Sequence, residues 1–185
     1  MRIVSGKYRS REIKCPNTSA VRPTQDRVRD SIFGIVQYEM PESNVLDLFA
    51  GSGAMGIEAL SRGAKELVFV DKNYKCLSTV KENLEKLNLD AECLLMDYLS
   101  ALKQLNERKF DVIFIDPPYA TDFGERAIEF IDENKMLSSH GVLVWEKAIL
   151  KTYDISLKNL CIDKIKKYGT TQVIIIRNID DVLQK

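Results

Sequence analysis

The sequence has few cysteines: four in 185 residues, at positions 15, 76, 93 and 161. No two are close enough to suggest a zinc site or a disulfide framework. Reduced, mostly structural thiols and a cytoplasmic setting are therefore expected. Long apolar runs are missing as well. Val112–Ile115 and Val173–Ile176 are strand-sized, far below the ~20 residues a membrane span needs. Met1–Ser10 is charged and has no apolar core, so no signal peptide is expected. Histidine is nearly absent; His140 stands alone before Gly141 in an expected loop and carries no catalytic expectation. Hydrophobic residues make up 45% and charged residues 29%, which argues against disorder and against a collagen-like fibre. The length suits one domain with a small extension.

Net charge is also absent, at +0, but the balance is uneven along the chain. Residues 1–29 hold Arg2, Lys7, Arg9, Arg11, Lys14, Arg22, Arg27 and Arg29 against only Glu12 and Asp26. Such a split hints at an anionic partner for the leading segment. A solvated charged arm is the plainer alternative on composition alone.

What the sequence has in abundance is alternation. Met1–Ser5 and Glu12–Cys15 suggest a small leading hairpin, and Pro16–Pro23 a loop. A helix is predicted from Thr24 as N-cap, with Val28, Ile32, Ile35 and Val36 at helical spacing. Strands are predicted at Val45–Phe49, Leu67–Val70, Cys93–Met96, Asp111–Ile115 and Val142–Trp145. Helices are predicted at Ala54–Arg62, Asn73–Leu87, Tyr98–Leu105 and Glu125–Ile131. Cys161–Tyr168 and Thr171–Ile176 flank a Gly169 turn and should pair antiparallel. The pattern predicts an α/β fold, a mostly parallel sheet with helices on both faces and a closing antiparallel hairpin. Ligands of such sheets bind beyond the carboxyl ends of the strands.

Four polar stations follow those ends. The first is the turn Gly51-Ser52-Gly53-Ala54-Met55-Gly56, whose glycines permit tight chain reversal and close helix packing. Asp71, 20 residues after Gly51, suits a carboxylate accepting ribose hydroxyls. Both features fit a dinucleotide or S-adenosylmethionine. Asp47 helps to separate the two: near the turn it repels a pyrophosphate and favours an ammonium group, unless it is simply a buried, hydrogen-bonded aspartate. Asp97 is either an acceptor for an adenine amine or the N-cap of the next helix.

The fourth station, Asp116-Pro117-Pro118-Tyr119, is the most specific. Proline stiffens the backbone and offers a carbonyl without an amide hydrogen. Asp116 and the Pro117 carbonyl suit the two N–H donors of a base exocyclic amine. Tyr119 offers a face for stacking the base, worth ~1–3 kcal/mol.

Asp47-Leu48-Phe49-Ala50-Gly51-Ser52-Gly53, Asp71 and Asp116-Pro117-Pro118-Tyr119, in this order, resemble the class I S-adenosylmethionine-dependent methyltransferases that act on exocyclic amines. The sequence resembles most closely the bacterial 16S rRNA guanine-N2 methyltransferases of the RsmD type. Ser5-Gly6-Lys7, Arg22-Pro23-Thr24, Asp26-Arg27-Val28-Arg29 and Glu58-Ala59-Leu60-Ser61-Arg62-Gly63-Ala64 carry that closer likeness. Ser10, Gln25 and Gly34 depart from it without touching the cofactor stations.

The resemblance implies a Rossmann-like, seven-stranded domain over residues 24–185, with residues 1–23 as a basic extension. It implies S-adenosylmethionine held by Thr24, Asp47, Phe49, Gly51, Gly53, Asp71 and Asp97. Asp116, Pro117, Pro118 and Tyr119 are then the catalytic set, acting on N2 of guanine 966 of 16S rRNA. Arg2, Lys7, Arg9, Arg11, Arg22 and Arg29 become an RNA clamp. A monomer that needs no metal and works on the small ribosomal subunit or its assembly intermediate is the expected context. A nicotinamide-dependent oxidoreductase and a non-catalytic RNA-binding protein are the rivals from other classes.

Overall fold

The computed structural model describes residues 1–16, 26–118 and 121–183. Strands and helices alternate as the hydrophobic pattern predicts. α1 (Asp26–Ile35) precedes β1 (Asn44–Asp47), α2 (Ala54–Ser61) and β2 (Glu66–Asp71). α3 (Tyr74–Leu87), β3 (Glu92–Leu95), α4 (Tyr98–Gln104) and β4 (Phe110–Ile115) follow. The chain then forms α5 (Phe123–Glu133), β5 (Leu137–Ala148), β6 (Leu160–Tyr168), β7 (Thr171–Asn178) and α6 (Ile179–Leu183).

The seven strands form one sheet in the order β3-β2-β1-β4-β5-β7-β6. β1 to β5 pair in parallel, and β7 is antiparallel to both β5 and β6. Alternate strand residues serve opposite faces. Val45, Val112, Val144 and Val173 pack with Phe33 of α1, Ile57 of α2 and Val80 of α3. Leu46, Ile113, Leu143 and Ile174 pack with Leu102 of α4 and Ile128 of α5. Gly56 seats α2 directly on the sheet, because a Cβ there would collide with the Phe69 ring.

The leading segment does not form the expected pair of strands. The segment does fold back on itself, with Ile3 N donating to Arg11 O and Ile13 N to Met1 O, both at 3.0 Å, but its strand-like pairing is a single bridge, Arg2 with Glu12, because the amides of Val4, Ser5, Lys7 and Tyr8 turn to α2. Val4 N and Ser5 N donate to the Glu58 carboxylate at 2.7 and 2.9 Å. Lys7 N donates to Ser61 O at 2.7 Å, and Tyr8 N to Ser61 Oγ at 3.0 Å. Ile3 and Ile13 join the core. Further along, the fully buried Asn83 accepts from Lys14 N at 2.8 Å and donates to Lys14 O and Ser52 O.

Three other elements differ from expectation. α5 begins at Phe123 rather than Glu125. β5 runs to twelve residues, because polar Ser138, Ser139 and His140 continue it below Gly141. His140 therefore lies in a strand, at φ 62°, with Nδ1 2.6 Å from Asp181 of the unforeseen α6. Among the described residues no helix is long and apolar enough to cross a membrane. The proposed N-cap Thr24, with Arg22 and Tyr119, lies outside the described residues.

Candidate active site

The carboxyl ends of β1, β2 and β4 open into a cleft of about 560 Å³. Asp47, Phe49, Gly51, Asp71, Asp97, Asp116, Pro117 and Pro118 all line it. Parallel strand order produces this convergence: β1 sits between β2 and β4, so the segments that leave these three strands meet above one point.

The glycine turn is built as its residue types demand. Gly51 and Gly53 have φ of 53° and 77°, the left-handed region in which a Cβ is strained. Gly53 also lies against Val80 and Phe69. The turn's amides, however, are largely committed inside the protein. Gly51 N donates to Asp71 Oδ2 at 2.9 Å, Gly53 N to Ala50 O at 2.7 Å and Gly56 N to Asp47 Oδ2 at 3.1 Å. Among the described residues the amides of Ala54 and Met55 are the first-turn donors left, since position gives them no partner within the helix. Both residues line the cleft.

Each carboxylate has a distinct setting. Asp47 is buried beneath the cleft. Burial, with the Asp71 charge adding to it, pushes its carboxyl up to about 7, against the pull of the Gly56 amide. Asp71 fixes the turn through one oxygen and accepts Asn73 N at 2.8 Å through the other. An oxygen with one donor keeps a second lone pair. Asp97 is the N-cap of α4, accepting from Leu99 N, Ser100 N and Ser100 Oγ. The Ser100 hydroxyl is the main influence holding its carboxyl below the usual range. The two readings of Asp97 are thus compatible: it caps a helix and lines the cleft.

The proline station divides its roles between the loop and the cleft. Pro118 O accepts from Thr121 N at 3.1 Å and Thr121 Oγ1 at 2.8 Å, so its carbonyl shapes the loop. Asp116 and the buried Pro117 close the cleft wall. Lys151 Nζ donates to Thr121 O and so braces the loop from behind.

An aromatic band was not foreseen beyond Phe49. Tyr98 lies 5.4 Å from Phe49, centroid to centroid, and stacks on Phe123 at 5.0 Å. Met96, Leu99 and Arg126 complete that side. The available signal was positional: Tyr98 directly follows Asp97, and Phe123 opens the helix after the proline loop. The Cys76 thiol also lines the cleft; burial, then Asp71, pushes it up to about 11, which keeps it a thiol.

The basic candidates divide. Arg2, Lys7, Arg9 and Arg11 lie on the leading segment away from the core, and Arg2 pairs with Glu12 at 3.1 Å. Arg29 corrects the expectation of an RNA contact. It is 1% exposed, donates to Arg2 O at 2.5 Å and lies 3.8 Å from Glu58. The helical face that sequence places outward is covered by the leading segment itself. Among the described residues no cluster of three or more His, Cys, Asp or Glu side chains is placed to hold a metal ion.

Residues 1–177 match the family model described as Conserved hypothetical protein 95. Over 150 residues the chain is 37% identical to ribosomal RNA small subunit methyltransferase D of Haemophilus influenzae, covering 79% of this chain and 78% of that one. The protein of the same name from Escherichia coli is 30% identical over 150 residues, covering 80% and 75%. A solved Escherichia coli structure, described provisionally as a methyltransferase, superposes with a TM-score of 0.85 at 27% identity, covering 96% of this chain and 97% of that one.

Proposed function

This chain belongs to the RsmD-type family of ribosomal RNA methyltransferases, and we propose that it methylates the exocyclic N2 amine of a guanine in 16S rRNA, at position 966. Its coarse activity is S-adenosylmethionine-dependent methylation of ribosomal RNA. The observation that carries the finer reading is one cleft lined at once by Asp47, the Gly51 turn, Asp71, Asp97 and Asp116-Pro117.

The residues present fit the cofactor. A buried carboxyl raised to about 7 calls for a cation, and the methionine ammonium is one. The Ala54 and Met55 amides suit its carboxylate, the spare lone pairs of Asp71 the ribose hydroxyls, and Phe49 and Tyr98 a purine face. Asp97 at the rim accepts the adenine amine. Thr24, proposed from the family likeness, closes over the methionine end. When bound, S-adenosylmethionine supplies an activated methyl group on a cationic sulfonium. Asp47 against a pyrophosphate disfavours the nicotinamide alternative.

The protein's remaining work is alignment of the acceptor. Asp116 and the Pro117 carbonyl accept the two N–H bonds of the guanine amine. That holds the nitrogen in one orientation and draws its lone pair out of the ring. Asp116 also takes up the proton the amine gives up. Pro118 fixes the loop, and Tyr119 stacks on the base. A paired, stacked amine is out of reach, so the target is an unpaired or extruded nucleotide. Residues 1–23 act as an RNA-binding extension through Arg2, Lys7, Arg9, Arg11 and Arg22. The protein works as a monomer on the small subunit or its assembly intermediate.

The test is transfer of a tritiated methyl group to small subunits lacking the modification, with the product nucleoside identified by mass spectrometry. N2-methylguanosine at a single site is expected. Label in another nucleoside, or none, overturns the reading.

A further inference from the structure

The two edges of the sheet differ in charge. β3 forms one, and its Glu92 is neutralised by Arg108 at 2.6 Å. β6 forms the other, and its charge is polarised along its length. At the end where β6 begins, Asp163 pairs with Arg177 at 3.3 Å, and α6 brings Asp180 and Asp181 alongside. The second half reads Lys164-Ile165-Lys166-Lys167, all exposed. Among the described residues none of these three lysines makes an ion pair.

Topology fixes where that half lies. β7 runs antiparallel to β5 and pairs Thr171 with Ala148; β6 pairs Tyr168 with the same Thr171. The basic half of β6 therefore ends at the rim where β4 delivers Asp116. Lys164 and Lys166, opposite Ile175 and Val173, stand on the sheet face that carries α1. Tyr168 joins that face through its hydroxyl, 2.8 Å from Ser31 Oγ. Arg27, one turn before Ser31, is exposed on the same flank of α1. Three strand spacings separate β6 from β4, about 14 Å at ~4.8 Å each.

The leading turn lies elsewhere. Lys7 and Tyr8 are tied to Ser61, the last residue of α2. That helix starts at the cleft and runs about 12 Å away from it, at 1.5 Å per residue. Lys7, Arg9 and Arg11 thus flank the end of α2 remote from the cleft.

We infer that the rim half of the β6–β7 hairpin, together with Arg27, is a docking surface for RNA backbone phosphates flanking the target nucleotide. The inference rests on the proposed ribosomal RNA substrate and adds to it the face that substrate approaches. Lysines on an edge strand also discourage edge-to-edge pairing. That duty does not require them to gather at the rim while the acids gather at the other end.

The test compares Lys164→Gln/Lys166→Gln/Lys167→Gln with a control of equal charge change, Lys65→Gln/Lys81→Gln/Lys103→Gln. The probe is a fluorescein-labelled RNA hairpin, titrated by anisotropy without cofactor between about 50 and 200 mM salt. The hairpin variant should bind about tenfold more weakly, with a log–log salt slope shallower by about 2, whereas the control shifts little. Unchanged S-adenosylhomocysteine affinity in both variants confirms that they are folded. Equal behaviour of the two variants overturns the inference, as does aggregation of the hairpin variant with an unaltered salt slope. If the hairpin-dependent slope appears but the wild type transfers no methyl group to unmodified subunits, the docking surface stands and the enzymatic assignment falls.

Discussion

Two buried carboxylates stand at opposite ends of α2, and they are built in opposite ways. Glu58, near the helix's end, accepts from Val4 N, Ser5 N and Arg62 Nε, with Arg29 Nε 3.8 Å away. Asp47, beneath the helix's start, accepts from Gly56 N, while the neighbouring charge that acts on it is another carboxylate, Asp71. A buried charge is costly unless paired and hydrogen-bonded. Glu58 meets that condition within the protein and works as a staple. Asp47 does not, and its carboxyl rises to about 7 in consequence. The contrast separates a carboxylate that completes the fold from one that is proposed to receive an incoming cation.

The largest expected effect tests the staple. Glu58→Gln should cost about 3–5 kcal/mol of stability, because it removes the buried negative charge that faces Arg62 and Arg29. Chemical denaturation measures this. A cost below about 1 kcal/mol would make the two ends of α2 alike.

The next belongs to the cleft. Asp116→Ala should slow methyl transfer by at least about a hundredfold, near 3 kcal/mol, while leaving S-adenosylhomocysteine affinity within about twofold. Parallel losses of binding and turnover in calorimetry and single-turnover assays would assign Asp116 to the cofactor instead.

A third contrast lies in pH. Asp47 has its folded pKa raised from 3.8 to about 7, so the native state binds more protons than the unfolded chain between those values. Stability without cofactor should therefore fall as pH rises, by roughly 2 kcal/mol between about pH 5 and 7, and level off above. Asp47→Asn should remove that slope and weaken S-adenosylhomocysteine binding. The wild type should bind this ligand more tightly as pH rises towards 7, since the ionised carboxylate receives its ammonium. A flat stability profile in the wild type would refute the contrast.

The smallest effect concerns the leading turn. Arg9→Gln/Arg11→Gln should make the salt dependence of RNA binding shallower by about 1–2 in log–log slope. Stability should change by no more than ~0.5 kcal/mol.

Much of this was legible beforehand, for identifiable reasons. Apolar runs of four to six residues between amphipathic helices report a parallel sheet directly, and the glycine and proline stations mark strand ends because only those residue types suit the backbone there. Side-chain fate was less legible. Arg29 reads as one more charge in a basic run, yet Glu58, 29 positions later, and the backbone of Arg2 hold it inward. Asp132 likewise looks like a surface helix residue, yet it is fully buried, accepting from Lys158, Asn159 and Leu160 amides. The lower half of β5 escaped because Ser138, Ser139 and His140 lack strand-like patterning. The Tyr98–Phe123 stack joins the first residues of two separate helices, α4 and α5, a proximity no local window contains.

Asn83 gives the leading segment a second meaning. One carboxamide grips the backbone of Lys14 on one side and Ser52 of the nucleotide turn on the other. The first residues of the chain cannot peel away without loosening the glycine turn that is proposed to hold the methionine end of the cofactor. The arm proposed to meet RNA is therefore also a girder of the pocket, and cutting it back should slacken catalysis even on a substrate it never touches.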